Sequence, residues 1–317
     1  MRYYEISLVK EGSTTPTRVW TSHPNGIRDP GALNVMFDMP ILPYGTPAGG
    51  QSISIEGISL SDLTQANQFA GQILTMKAGM KAPGLPLINP NQAGTILSGL
   101  VFQSFGNWEG TEMTLDLVLY PSIYTPSNPG NLTLIWPRGE KLSDALLHCL
   151  QVAYPNYPIK INISADYIND HDEHHASTTL EDLAMFVGDY TEQQFQSRVE
   201  ITIQRGSVIV FDPTYNPAPI QFNFTDFVGQ PTWIEPNVIQ VKTVLRADIS
   251  LGDIVKMPEG LQNAPGVITT TGASLPSSIK YKSTFQNTFT VTEARAVGNF
   301  RSPDGANWCS VFNCVTN

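Results

Sequence analysis

The chain has 317 residues, 41% of them hydrophobic and only 15% charged, with 25 Gly and 24 Pro. That length allows two or three compact units, and the apolar share excludes wholesale disorder. A net charge of −10 argues against a protein that grips nucleic acid, whose affinity comes from Lys and Arg on phosphates; an acidic wall would instead let DNA pass without sticking.

The start, "MRYYEISLVKEGS", lacks the long apolar core of a secretory signal. Nowhere does the chain approach the roughly 18 consecutive apolar residues that a membrane helix needs. A soluble chain without membrane insertion is expected. In "YEISLV", Tyr4, Ile6 and Leu8 alternate with Glu5 and Ser7, the period of a strand with one buried face. "SISIEGISL" alternates likewise, and "VMFDMPIL" reads as a short strand inside a Pro/Gly-rich stretch. Ser61 before Asp62 and Leu63 predicts the cap of a short helix. "TILSGLVFQSFGNW" and "TEMTLDLVLYPS" are strand-like, joined by a turn at "NWEG". "PSIYTPSNPGN" reads as a linker.

The periodicity then changes. "KLSDALLHCLQVAYP" predicts a helix capped by Ser143, with Leu146, Leu147 and Leu150 as its apolar stripe and Pro155 as its stop. "IKINISADY" is a strand. In "TTLEDLAMFVGDY", Thr178 and Glu181 form a capping box, and Gly188 suits the C-cap. Val199 to Val210 predicts a hairpin turning at Arg205-Gly206. Residues 213–317 return to β: a strand with Ile239, Val241, Thr243 and Leu245, a turn at Gly252-Asp253, a flexible loop at "QNAPGVITTTGASLPSS", then two closing strands. Cys149, Cys309 and Cys314 read as buried free thiols, since an offset of five on one strand points the last two to opposite faces.

The densest chemistry is "NDHDEHH", Asn169 to His175, which holds three of the five histidines: His171, His174 and His175. A metal-dependent hydrolase using this cluster is one reading. A zinc peptidase helix requires H-E-x-x-H; here Asp172 follows His171, and no apolar stripe supports a helix. The stretch therefore reads as a solvated loop leading into the helix capped at Thr178. No catalytic residue, cofactor site or metal site is expected. A carbohydrate-binding β module, stacking sugars on Trp20, Trp108, Trp136, Trp233 and Trp308, is the other rival; those residues are spread over the chain beside strand-like runs.

Two long stretches resemble one family. "SDLTQANQFAGQILTMKAGMKAPGLPLINPNQAGTILSGLVFQSFGNWEGTEMTLDLVL" and "FNFTDFVGQPTWIEPNVIQVKTVLRADISLGDIVKMP" are similar to tail hub proteins of contractile-tailed phages, related to the hub part of type VI secretion spikes. The resemblance implies a mainly β (α+β overall) chain: two tube-like β-barrel domains, 1–130 and 213–317, flanking a small α+β domain at 131–212 with two helices. It implies a homotrimeric baseplate hub in the virion tail, made in the host cytoplasm, that joins the tail tube protein to the central spike. Other baseplate proteins and the tape measure protein would be neighbours, and DNA would cross the channel without specific binding. Phe102, Phe105, Trp108 and Trp233 are then candidate interface anchors; core packing is the alternative reading for each.

Overall fold

Side-chain alternation builds most of this fold. In β1 (Arg2–Val9) Tyr4, Ile6 and Leu8 are buried, and Glu5 and Ser7 lie on the other face. The computed structural model describes residues 1–43, 51–81, 90–125, 127–258 and 288–316. The first region continues with β2 (Pro16–Thr21), β3 (Asn34–Ile41), β4 (Gln51–Glu56), helix α1 (Leu60–Thr64), β5 (Ile73–Met80), β6 (Gly94–Glu109) and β7 (Glu112–Tyr120). The middle holds β8 (Leu132–Trp136), α2 (Leu142–Ala153), β9 (Ile159–Asn162), β10 (Glu173–Ser177), α3 (Leu180–Phe195), β11 (Glu200–Gln204) and β12 (Ser207–Phe211). The last region has β13 (Ile220–Gln221), β14 (Thr232–Glu235), β15 (Val238–Val244), β16 (Ile254–Lys256), β17 (Thr288–Asn299) and β18 (Trp308–Thr316).

The chain is mainly β. One sheet runs β14-β15-β18-β17-β3-β4-β7-β6-β5-β1-β2, with β16 and β13 branching from β17. The two β regions do not close as separate barrels among the described residues: β3 pairs with β17, Phe37 opposite Gly298 and Asp38 opposite Val297, so one ladder crosses from the first region to the last. The first core, under β1 and β3 to β7, accordingly takes in Leu245, Ala247, Ala296 and Trp308 from the far end of the chain. A third core around Phe222, Ile239, Val241, Phe289 and Phe312 lies under the last strands.

The middle region has its own core, built on Trp136, Leu146, Leu150, Leu183, Val187 and Ile201. A β10-β8 pair and a β11-β12-β9 sheet, with β12 parallel to β9, surround it. The stretch expected as a linker is fastened to this core: the Tyr124 hydroxyl donates to Ala153 O at 2.7 Å, and Ser122 Oγ lies 2.7 Å from the Tyr154 hydroxyl.

Several local expectations shift. Strands β2, β5 and β8 add to the expected elements; β8 alternates buried and exposed residues, and β2 does not. The α1 cap is Ser59, whose hydroxyl accepts from Asp62 N, rather than Ser61. Helix α2 has no side-chain cap at all; Lys141 bridges Ile168 and Leu142 N donates to Tyr167 O, so a neighbouring segment does what Ser143 was expected to do. The α3 cap is Thr179, not Thr178, and Gly188 lies inside the helix. A Cβ there would sit 2.9 Å from the Arg198 guanidinium carbon, so the glycine makes room for Arg198, which binds Asp189, Glu192 and Glu200. The helix instead ends at Gln196, in the left-handed region at φ 57. Thr179→Ala should lower stability by about 1 kcal/mol in urea unfolding, and Thr178→Ala by clearly less, because only Thr179 accepts a helix N–H. The loop expected at 262–278 lies outside the described residues.

Candidate assembly surface

Among the described residues β6 is the longest strand, and it changes face along its length. Leu97 and Val101 point into the first core. A bulge between Val101 and Gln103, in the pairing with β7, then pushes Phe102 out of register. Beyond it Ser104 turns inward and Phe105 outward, opposite Asp116, while Trp108 sits near the hairpin tip opposite Met113. Phe102, Phe105 and Trp108 are 47%, 45% and 61% exposed. The Trp108 indole only closes the tip, donating to Gly110 O at 2.9 Å. Helix α1 backs this hairpin so closely that a Cβ on Gly106 would lie 2.9 Å from Leu63 O; its Leu60 is exposed as well. Trp233 differs: it is half-buried against the third core, edge-on to Phe289 at 6.4 Å.

The outer face of the long sheet is polar and internally paired. Gln240 donates to Asn313 at 3.2 Å, and Asn313 to Glu293 at 2.7 Å, across three strands. Arg295 forks onto both oxygens of Asp38, and that bond holds the Asp38 carboxyl below the usual carboxylate range. Nearer the β6–β7 hairpin, Asp116 accepts from Ser54 and, at 3.0 Å, from Asn107. These groups share one face because paired residues in a ladder point the same way. Over β15, β17 and β18 the face is hollowed by a depression of about 550 Å³ that includes Lys242, Glu293, Arg295 and Asn313. Nothing in the sequence marked Asp38 and Arg295 as partners, since 257 positions separate them. Among the described residues the main run of the sheet ends at two unpaired edges, β2 and β14, and its side branch ends at β13. No helix among them is long and apolar enough to cross a membrane.

The histidine stretch is not the loop its polarity suggested. Glu173 to Ser177 form β10, paired with β8, so His174 and His175 point to opposite faces. His175 stacks on Phe186 at 3.7 Å. The Nδ1 of His171 meets Asp170 at 2.7 Å, and its Nε2 lies 3.2 Å from the Tyr190 hydroxyl and 3.5 Å from Glu173; the Asp170 bond raises its pKa. Strand alternation thus turns His174 away from His175, while His171 and His175 both lie against α3, at Tyr190 and Phe186. Among the described residues no group of three or more His, Cys, Asp or Glu is placed to hold a metal ion. Of the five tryptophans, Trp20, Trp136 and Trp308 are buried and offer no ring to a sugar. The three cysteines are free and buried; burial pushes the Cys149 thiol up to about 11 and the Cys314 thiol up to about 12, which leaves them unreactive.

The sequence matches no protein-family model and no curated protein. Its three-dimensional structure is similar to solved ones. The tail protein from Neisseria meningitidis MC58 aligns over 99% of this chain and 96% of its own, with TM-score 0.52 and 8% identity. The 43 kDa tail protein of prophage MuSo2 from Shewanella oneidensis aligns over 100% and 98%, with TM-score 0.52 and 10% identity. End-to-end coverage at such low identity means that the likeness is one of fold, and the chain has the fold of these tail proteins.

Proposed function

We propose that the protein is a structural component of a phage tail, a baseplate hub in which three copies close a ring between tail tube and central spike. The observation that carries this reading is the single sheet that crosses both β regions and ends in unpaired edges at β2 and β14. Exposed edges invite pairing with another chain, and a closed ring is one way to cover them. Three copies with two β regions each give six units around an axis, which suits a threefold hub beneath a sixfold tube. The polar outer face, where Arg295 is paired with Asp38 and Lys242 stands among acidic and amide side chains, is a suitable channel wall for DNA: the duplex finds no row of free cations there, and the chain's charge of −10 repels it. Phe102, Phe105 and Trp108 are proposed as contacts to a neighbouring copy or to the tube, and Trp233 as a lesser anchor at the β14 edge. The small α+β unit at about 131–212 would stand beside the two β units and meet other baseplate proteins. The role is structural, in the virion, with no catalysis.

Sedimentation of the purified protein should give three times the chain mass of 34.7 kDa. Phe105→Ser with Trp108→Ser should weaken assembly at least tenfold and lower thermal stability far less than a core substitution would, because both side chains are about half exposed or more in the single chain. A protein that stays monomeric at high concentration and is missing from purified tails would sink the proposal.

A further inference from the structure

One corner of the molecule gathers positive charge that the chain does not neutralise. Where the start of β1 meets the turn between β17 and β18, a pocket of about 390 Å³ is lined by Met1, Arg2, Arg28, Asp29, Phe300 and Arg301 among others. Of the six arginines elsewhere, Arg18, Arg198, Arg246 and Arg295 each bind at least one carboxylate, and Arg138 and Arg205, which bind none among the described residues, stand singly. Among the described residues, Arg2, Arg28 and Arg301 have no carboxylate within 4.0 Å.

Two of the three are fixed in place by backbone oxygens. Arg2 donates to the carbonyls of Asn299 at 2.8 Å and Phe300 at 3.2 Å, and to those of Ser302 and Asp304. Arg301 donates to Ala32 O at 2.5 Å and Pro30 O at 3.4 Å. Carbonyl dipoles orient a guanidinium without cancelling its charge. Arg28 is exposed at the rim. Asp29 is the one acid in the lining, and its Oδ1 already accepts from Gly31 N at 2.7 Å; Asp304 acts on Arg2 from farther away. The field reaches beyond the pocket: burial first, then the charges of Lys81 and Arg28 among others, push the His23 imidazole down.

We infer that this pocket is a docking site for a carboxylate-rich segment of a different protein. A guanidinium fork fits oxyanions, and two forks held rigidly by the fold lose little freedom on binding. The pocket is of the size that takes a few side chains. Nucleic acid is the weaker fit, since its affinity grows with a long track of neutralised phosphates and this chain carries 18 basic against 28 acidic residues. The site stands whether or not three copies close a ring.

The test is calorimetric titration of the full chain with a blocked hexaglutamate peptide, with inorganic phosphate and with a 12-base-pair duplex, at low and high salt. The peptide should bind at low salt and weaken at least tenfold at high salt. Arg28→Glu should abolish binding while leaving the melting temperature unchanged, and Arg138→Glu, at an exposed arginine elsewhere, should not affect it. Peptide binding that survives Arg28→Glu, or no peptide binding at all, would overturn the site. Tighter binding of the duplex or of phosphate than of the peptide would overturn the choice of ligand. Loss of self-association in Arg28→Glu would make the occupant a second copy and overturn the assignment to a different protein.

Discussion

Arg246→Met should cost about 3–5 kcal/mol of unfolding free energy, the effect of stripping one partner from a buried ion network. The Arg246 side chain is only 1% exposed. Its Nε and Nη2 fork onto both oxygens of Asp248 at 2.7 Å, and its Nη1 lies 3.3 Å from Asp226. Asp226 in turn accepts from Gln92 Nε2 at 3.0 Å and from Asn223 N at 2.9 Å, which ties the segment before β6 to the segment before β14. The guanidinium also lies 5.0 Å above the Phe222 ring. Methionine fills much of the volume but leaves two carboxylates facing each other in a nearly dry site. Arg246→Lys should recover little, because a single ammonium cannot fork onto Asp248 and still reach Asp226. Replacing all three charged residues with apolar ones should recover most of the loss, since a packed apolar cluster needs no counterion. Urea unfolding of the four proteins, with unchanged slopes, is the measurement. A loss below about 1 kcal/mol in Arg246→Met would mean that water reaches the network.

Gly298→Val should destabilise by about 3 kcal/mol or more, at or beyond the upper end of ordinary overpacking. Gly298 is on β17 directly opposite Phe37 of β3. A Cβ built there falls 2.2 Å from Phe37 Cε1 and Cζ, well inside contact distance. The ring has little room to yield. Trp308 meets it edge-on at 5.3 Å, and the Trp308 indole is anchored to Gly79 O at 3.0 Å. Adding Phe37→Leu to Gly298→Val should restore part of the loss, with a coupling of about 0.5–3 kcal/mol in a double-mutant cycle. This seam is also where the first and last β regions become one sheet. The single variant should therefore unfold in two thermal steps where the parent unfolds in one. One cooperative step in both proteins, with a small coupling, would show that β3 and β17 do not hold the regions together.

How much could be read from sequence depended on whether a segment carries its own pattern. β1 and β15 alternate cleanly, the β11–β12 hairpin is marked by its apolar run and its turn, and Arg205-Gly206 takes the positive φ values of a tight turn, 55 and 76. Strand β2 is an exposed edge with one buried residue, Trp20, so it shows no period. β5 follows a helix cap and reads as more helix. β10, "EHHAS", has no apolar alternation and is a strand because β8 lies beside it. The helix caps slipped by one or two residues because "SLSDL" and "STTLED" each offer several hydroxyls, and only the backbone turn selects one. Of the candidate anchors, sequence supplied the residue types but not their exposure. Phe102, Phe105 and Trp108 are in water because a bulge and a projecting hairpin put them there, whereas Trp233 reaches a core.

The sequence by itself determined that this protein is mainly β, that a helical unit interrupts two β regions, and that its surface is acidic and sparsely charged. These properties are local or additive, and each strand or helix needs only its own side chains to declare a buried face. Only the tertiary structure decided that β3 pairs with β17, that Asp38 meets Arg295, and that three arginines converge on one pocket. Such pairings join segments hundreds of residues apart, and no local period names the partner. Register across the sheet, set by the packing of three cores together, is what brings those residues face to face.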